Sequence, residues 1–209
     1  VRQTAGELVA YVLHRAPVLD CTVPGEGRSV LVLPGIGRGD RQTARFRAAL
    51  DKAGFRSAGW GLGVNIGPTR SLLAGAAARL KAVAAVHGRV SIVGFSMGGL
   101  FARWLALEHP ECVRSVVTVC SPFRNPLESL WLPLPPLTFL WPDAPSLAAR
   151  IAGPLPVPST CLYTRRDGIV AWRNCFDPCA PQDSFEIQGA HVTMAIDQQV
   201  LSIVAARLG

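Results

Sequence analysis

Residues 94–98 read Gly-Phe-Ser-Met-Gly, a G-x-S-x-G spacing that can hold a serine hydroxyl out on a sharp turn between a strand and a helix. At such a turn the serine takes a positive φ, which strains any residue with a Cβ, and the flanking glycines let strand and helix pass closely. A serine hydroxyl is a poor nucleophile at neutral pH. It needs a base within hydrogen-bond reach and a third group that fixes the tautomer of that base. Both residue types follow: "LYTRRDGIV" puts Asp167 four residues past an apolar run, and "IQGAHVTM" puts His191 between the last such run and the final helical stretch. The nominated set is Ser96 as nucleophile, His191 as base and Asp167 as the acid that orients it. The order Ser, Asp, His differs from both serine-protease orders.

Other residues compete for two of these roles. Asp143, Asp177 and Asp183 are alternative acids, but Asp143 lies in a proline-rich stretch and the other two follow less clearly from a strand end. His14, His87 and His109 fall on or at the ends of helical stretches and read as structural.

Acyl chemistry also develops an oxyanion, and losing one donor to it costs about 2.7–4 kcal/mol. "PGIGRGD" (34–40) follows the apolar run "SVLVL", and its glycines let the backbone turn amides inward. The backbone amides of Ile36 and Met97 are therefore the nominated oxyanion donors. A phosphate-binding turn is the rival reading of this loop. Its glycines at 35, 37 and 39 make neither G-x-G-x-x-G nor a Walker loop, and no lysine follows. A second loop, "GWGLGVNIGPTR" (59–70), either lines the pocket with Trp60 and Asn65 or ties neighbouring strands together.

The elements that must position these residues alternate. Strand candidates are 29–33, 55–59, 89–93, 115–120, 159–163 and 184–187, several of them continuously apolar as doubly covered strands should be. Between them lie helical stretches at 41–54, 69–88, 97–111 and 197–209, with Asp40 a candidate cap for the first and glycine endings on the first two. A further helix, "AGELVAYVLHRA", precedes the first strand. This alternation predicts an α/β fold of about six mostly parallel strands with helices on both faces. Asp167 and His191 then fall at the carboxyl ends of strands, where open α/β sheets bind ligands.

One stretch breaks the rhythm. Residues 122–158 hold ten of the chain's 17 prolines together with Phe123, Trp131, Phe139 and Trp141. Proline at that density excludes long helices, and the stretch exceeds what a connector needs. It reads as a lid-like insert or as irregular packing over one end of the sheet.

With 209 residues, 49% of them hydrophobic and 17% charged, the chain is expected to be one globular domain over 1–209. The net charge of +7 comes from arginines scattered along the chain, with only Lys52 and Lys81 as lysines and only Arg165 and Arg166 adjacent. Nucleic-acid binding needs charge gathered on one face and is not expected. The six cysteines suggest no disulfide framework in a chain this long and apolar; Cys175 and Cys179 could pair or bind metal, but a lone C-x3-C is weak for zinc. No run of about 18 apolar residues occurs, so no stable membrane anchor is expected. Because the chain begins with Val1, a native start or a signal segment can have been trimmed. The compartment stays unknown, with the cytoplasm a weak default.

On "LPGIGRG", "GFSMGG", "RRDGIV" and "GAHVTM" together the chain resembles the α/β-hydrolase superfamily, and more closely its small bacterial esterases and lipases, over residues 29–208. The resemblance implies a minimal α/β-hydrolase fold, the roles given above for Ser96, Asp167, His191, Ile36 and Met97, no metal and no organic cofactor. It implies cleavage of carboxylic esters through an acyl-enzyme; the apolar insert and its tryptophans favour a small-molecule ester with a hydrophobic acyl chain over a charged substrate. A thioesterase, amidase or acyltransferase would use the same triad, and a non-catalytic binding protein could keep the fold. Two features depart from the pattern: many lipases have His-Gly where this chain has Pro34-Gly35, and no strand pair precedes "SVLVL".

Overall fold

The computed structural model describes residues 19–126 and 144–208. Strands β1 (Ser29–Leu33), β2 (Arg56–Gly59), β3 (Val90–Phe95), β4 (Val113–Val119), β5 (Ser159–Tyr163) and β6 (Ser184–Glu186) form one sheet. Its order is β2-β1-β3-β4-β5-β6, and every neighbouring pair is parallel. Each expected strand is present, so the sheet is wholly rather than mostly parallel among the described residues.

The valine- and leucine-rich strands suit burial on both faces. Successive side chains point to opposite sides, and two cores result. Leu31, Leu33, Ile92 and Val116 pack with helices α2 (Arg70–His87) and α3 (Met97–Glu108) on one face. Val30, Val32, Val93 and Val117 pack with α1 (Asp40–Lys52) and α5 (Gln198–Arg207) on the other. Thr69 caps α2 by accepting from the Leu72 amide at 3.2 Å, and Asp197 caps α5 by accepting from the amides of Gln199 and Val200.

Asp40 is not the cap of α1, as the sequence suggested. Gly39 holds that position, and the Gln42 side chain accepts from its amide at 2.9 Å. The Asp40 carboxylate instead accepts from the amides of Trp60 and Gly61, each at 2.9 Å. It thereby ties the start of α1 to the loop after β2, because two inward-turned amides there compete successfully for the charge.

Of the proline-rich insert, residues 127–143 lie outside the described part, and with them Trp131, Phe139, Trp141 and Asp143. The helix expected at 5–16 lies outside it as well. The described flanks of the insert belong to the core. Phe123, Leu147, Ile151 and Val157 join the α2–α3 cluster, and a nine-residue helix α4 (Ala144–Ala152) forms with Pro145 in its first turn, where a missing N–H costs nothing. Arg103 of α3, fully buried, fastens the end of α4. Its Nε donates to the Ile151 carbonyl at 2.6 Å, its Nη2 donates to the Gly153 carbonyl, and its guanidinium lies 4.0 Å from the centre of the Phe123 ring. Burial pulls the Arg103 pKa down; the helix-end carbonyls and the ring favour the cation in return.

No helix among the described residues is long and apolar enough to cross a membrane. All six cysteines are free, with Cys175 buried and Cys179 exposed rather than joined. The chain leaves β1 for β2 on one side and β3 for β4 on the other. The carboxyl ends of the adjacent strands β1 and β3 therefore flank a switch point, the place where such sheets hold ligands.

Candidate functional site

Ser96 follows β3 directly and precedes α3. Its φ of 50° lies in the left-handed region, sparsely populated for a residue with a Cβ. The turn is held by the Ser96 amide donating to the Val119 carbonyl at 2.8 Å and the Gly99 amide donating to the Ser96 carbonyl at 2.9 Å. The flanking glycines have steric reasons. A Cβ on Gly94 would strike the Gly98 carbonyl, and one on Gly98 would strike the Leu33 carbonyl at the end of β1. Met97 is the first residue of α3, so its amide is among the first-turn N–H groups that find no acceptor within their own helix.

The segments after β5 and β6 bring two more groups to the same end of the sheet. His191 Nδ1 lies 2.6 Å from Asp167 Oδ2, with side-chain exposures of 9% and 1%. The other carboxylate oxygen accepts from the amides of Ile169 and Val170 at 2.9 and 2.8 Å. Both oxygens of the buried Asp167 are thus satisfied, which makes its ionised form tolerable out of water and fixes its plane. The rival acids are engaged elsewhere: Asp177 accepts from the Cys179 amide at 3.0 Å, and Asp183 pairs with Arg207 at 3.2 Å. His87 ends α2 and His109 follows α3, while His14 lies outside the described residues.

Ser96, His191 and Ile36 line one cavity of about 210 Å³. Phe95, Val119, Ile169, Val192 and Met194 make most of its wall apolar, and Arg38 and Gln42 add polar groups. The Met97 side chain is buried in the core behind the turn.

The loop carrying Ile36 is shaped by a residue the sequence left undecided. Asn65, fully buried, donates from Nδ2 to the Pro34 carbonyl at 2.8 Å and accepts at Oδ1 from the Gly67 amide at 3.0 Å. Its backbone also bonds the loop on both sides, accepting from the Gly37 amide at 2.7 Å and donating to the Arg38 carbonyl at 2.8 Å. Gly37 adopts a φ of 69° there. Residues 59–70 are therefore the tie between strand ends: Trp60 is fully buried, its Nε1 donates to the Gly63 carbonyl, and neither it nor Asn65 lines the cavity. Where many lipases have histidine this chain has Pro34, and the side-chain hydrogen bond to this loop comes from Asn65. The sequence signal was present, since an asparagine that accepts from the amide two residues on is a recognised turn former.

Cys120, whose apolar segment reads as that of a small buried hydrophobe, is indeed buried, but its place at this cavity was not legible in the sequence. It directly follows β4 with a φ of 49° and lines the same cavity. Burial pushes its thiol well up, and the Asp167 charge pushes the same way.

A family model described as the alpha/beta hydrolase fold matches residues 85–156. No protein of curated function matches the sequence. Solved structures do. One comes from a study of LipS and LipT, two metagenome-derived lipolytic enzymes, with 16% identity, a TM-score of 0.66 and coverage of 88% of this chain and 93% of that one. A lipase-esterase related protein from Clostridium acetobutylicum is 14% identical, with a TM-score of 0.56 and coverages of 89% and 96%. The thioesterase domain of the curacin biosynthetic pathway is 16% identical, with a TM-score of 0.52 and coverages of 89% and 92%. The family match over β3, α3 and β4 and the architecture shared with these neighbours assign this chain the α/β-hydrolase fold.

Proposed function

We propose that the protein is a serine hydrolase that cleaves carboxylic esters through an acyl-enzyme. The observation that carries the reading is the 2.6 Å contact of His191 Nδ1 with a fully paired Asp167, His191 itself lining the cavity that also takes in Ser96. With Nδ1–H committed to Asp167, the neutral imidazole carries its lone pair at Nε2, the nitrogen free to take a proton from Ser96. Ser96 Oγ then bonds the ester carbonyl carbon. The carbonyl electrons move to its oxygen, which the amides of Ile36 and Met97 receive. Collapse of this intermediate breaks the bond to the alcohol, which leaves with the proton from His191 Nε2. Water repeats the steps on the acyl-enzyme, and Ser96 regains its proton.

Apolar lining and a volume of about 210 Å³ favour a short apolar acyl group, since sites for drug-sized ligands run to roughly 300–1,000 Å³. A fluorophosphonate should modify Ser96 alone, as read by peptide mapping. Ser96→Ala should abolish labelling and lower turnover of a short p-nitrophenyl ester by several orders of magnitude, about a millionfold for such a serine in subtilisin. Near-normal turnover by the variant would end the proposal. Matched ester, thioester and amide substrates then identify the leaving group, and a preference for the thioester would replace the esterase reading.

A further inference from the structure

We propose that Cys120, His191 and Asp167 form a binding site for a soft divalent cation, zinc above all, whose occupation reversibly switches off the Ser96 site. The switching rests on His191 being the base of the proposed reaction; the binding does not. One thiol sulfur, one imidazole nitrogen and one carboxylate oxygen from these residues all lie within 4.8 Å of one another. A tetrahedral zinc, with bonds of about 2.3 Å to sulfur and about 2.0–2.2 Å to nitrogen and oxygen, spaces its ligands roughly 3.3–3.6 Å apart. The His191 Nδ1–Asp167 Oδ2 pair, 2.6 Å apart as a hydrogen bond, opens by about 0.7 Å once its proton leaves, and the Cys120 sulfur draws in by little more than about 1 Å to meet that spacing. Sulfur and imidazole donors select zinc and its soft relatives over magnesium or calcium, which take oxygen ligands.

The surroundings complete such a site. Cys120 and His191 both line the cavity, which supplies a route in and a fourth position for water. Asp167 is held from behind by the amides of Ile169 and Val170, the outer-shell bonding that orients a metal-ligating carboxylate. Cys120 has no disulfide partner, and its amide donates to the Leu162 carbonyl at 2.8 Å, so its backbone is anchored on β5.

The consequence for catalysis follows from the imidazole. The nitrogen facing Asp167 is Nδ1. A cation bound there moves the single imidazole proton to Nε2, and the lone pair that Ser96 requires is gone. One further proton, from the Cys120 thiol, is released as the thiolate binds. No oxidation state changes, so a chelator reverses the step.

The test uses the whole chain after chelator stripping. Titration with Co2+, read by the near-ultraviolet thiolate-to-cobalt band, should saturate at one equivalent in the wild type and lose the band in Cys120→Ser. Cys179→Ser, which changes an exposed thiol, should keep it. If Cys120→Ser does not fold by circular dichroism, Cys120→Ala serves in its place. Ester hydrolysis in zinc buffers should be inhibited and restored by EDTA, with the inhibitory zinc concentration raised about tenfold or more by the Cys120 substitution. Ser96→Ala should still bind Co2+, which separates failure of this site from failure of the esterase reading. A wild type without the band, a band that persists without Cys120, or equal zinc sensitivity in both proteins overturns the proposal.

Discussion

Replacing Asn65 by alanine removes two side-chain hydrogen bonds at once, to the Pro34 carbonyl at 2.8 Å and from the Gly67 amide at 3.0 Å. Asn65 is fully buried, so water does not readily replace it. An orphaned buried donor or acceptor costs about 1–3 kcal/mol, which puts the loss of stability at about 2–6 kcal/mol for the pair. The kinetic effect arises two residues away. Pro34 leads into Ile36, the proposed oxyanion donor, and a loop no longer held at its carbonyl should present the Ile36 amide out of line with the developing oxyanion. Loss of one such donor lowers kcat by about 10²–10³; a displaced rather than deleted donor should lose about 10–10². KM for a short ester should stay within about threefold, because uniform binding is untouched while a transition-state contact is lost. Asn65→Asp sharpens the test: it keeps an acceptor for Gly67 but sets a carboxylate oxygen against the Pro34 carbonyl, so it should reproduce the kcat loss. Denaturant unfolding measures the first effect, and steady-state kinetics on the folded fraction measures the second. A variant that loses stability but keeps kcat within twofold would refute the link from Asn65 to the oxyanion.

Two further outcomes are expected. Asp167→Asn should lower kcat by about 10⁴, as in a protease whose histidine loses its orienting charge, while Asp177→Asn, a change at the residue bonded to Cys179, should leave it within about threefold; the reverse ranking would move the acid elsewhere. Burial pushes the Cys161 thiol from 9.0 up to about 11. The folded protein thus holds that proton more tightly than the unfolded chain, so this contribution to stability is complete below pH 9 and is lost as pH rises towards 11. A shift of two pKa units corresponds to about 3 kcal/mol at most. Unfolding free energies from pH 8 to 11 should fall less steeply in Cys161→Ala than in the wild type, and equal slopes would exclude the effect.

The alternation of apolar strands and amphipathic helices was legible in the chain because period and composition are local properties. All six strands appear at their expected places, and "GFSMGG" announced its turn because each glycine there answers a close contact: Gly94 with the next turn, Gly98 with the end of β1, and Gly99 with Thr118 of β4 and with Ser121. The order of Ser96, Asp167 and His191 was legible for the same reason, since a strand end followed by a polar residue is a one-dimensional sign. What one dimension does not hold is the choice among partners. Asp40 reads as a cap until the amides of Trp60 and Gly61, some twenty residues on, take its carboxylate. Asn65 reads as pocket or tie until its side chain reaches Pro34 across the sheet edge. Cys120 reads as a small buried hydrophobe until β4 and β5 lie side by side and bring it near Asp167 and His191. By itself the sequence determined the strands, the turn and the residue types available for chemistry. Only the tertiary structure decided which buried polar groups satisfy one another, because hydrogen-bond partners far apart in the chain are chosen by the packing that excludes water from them.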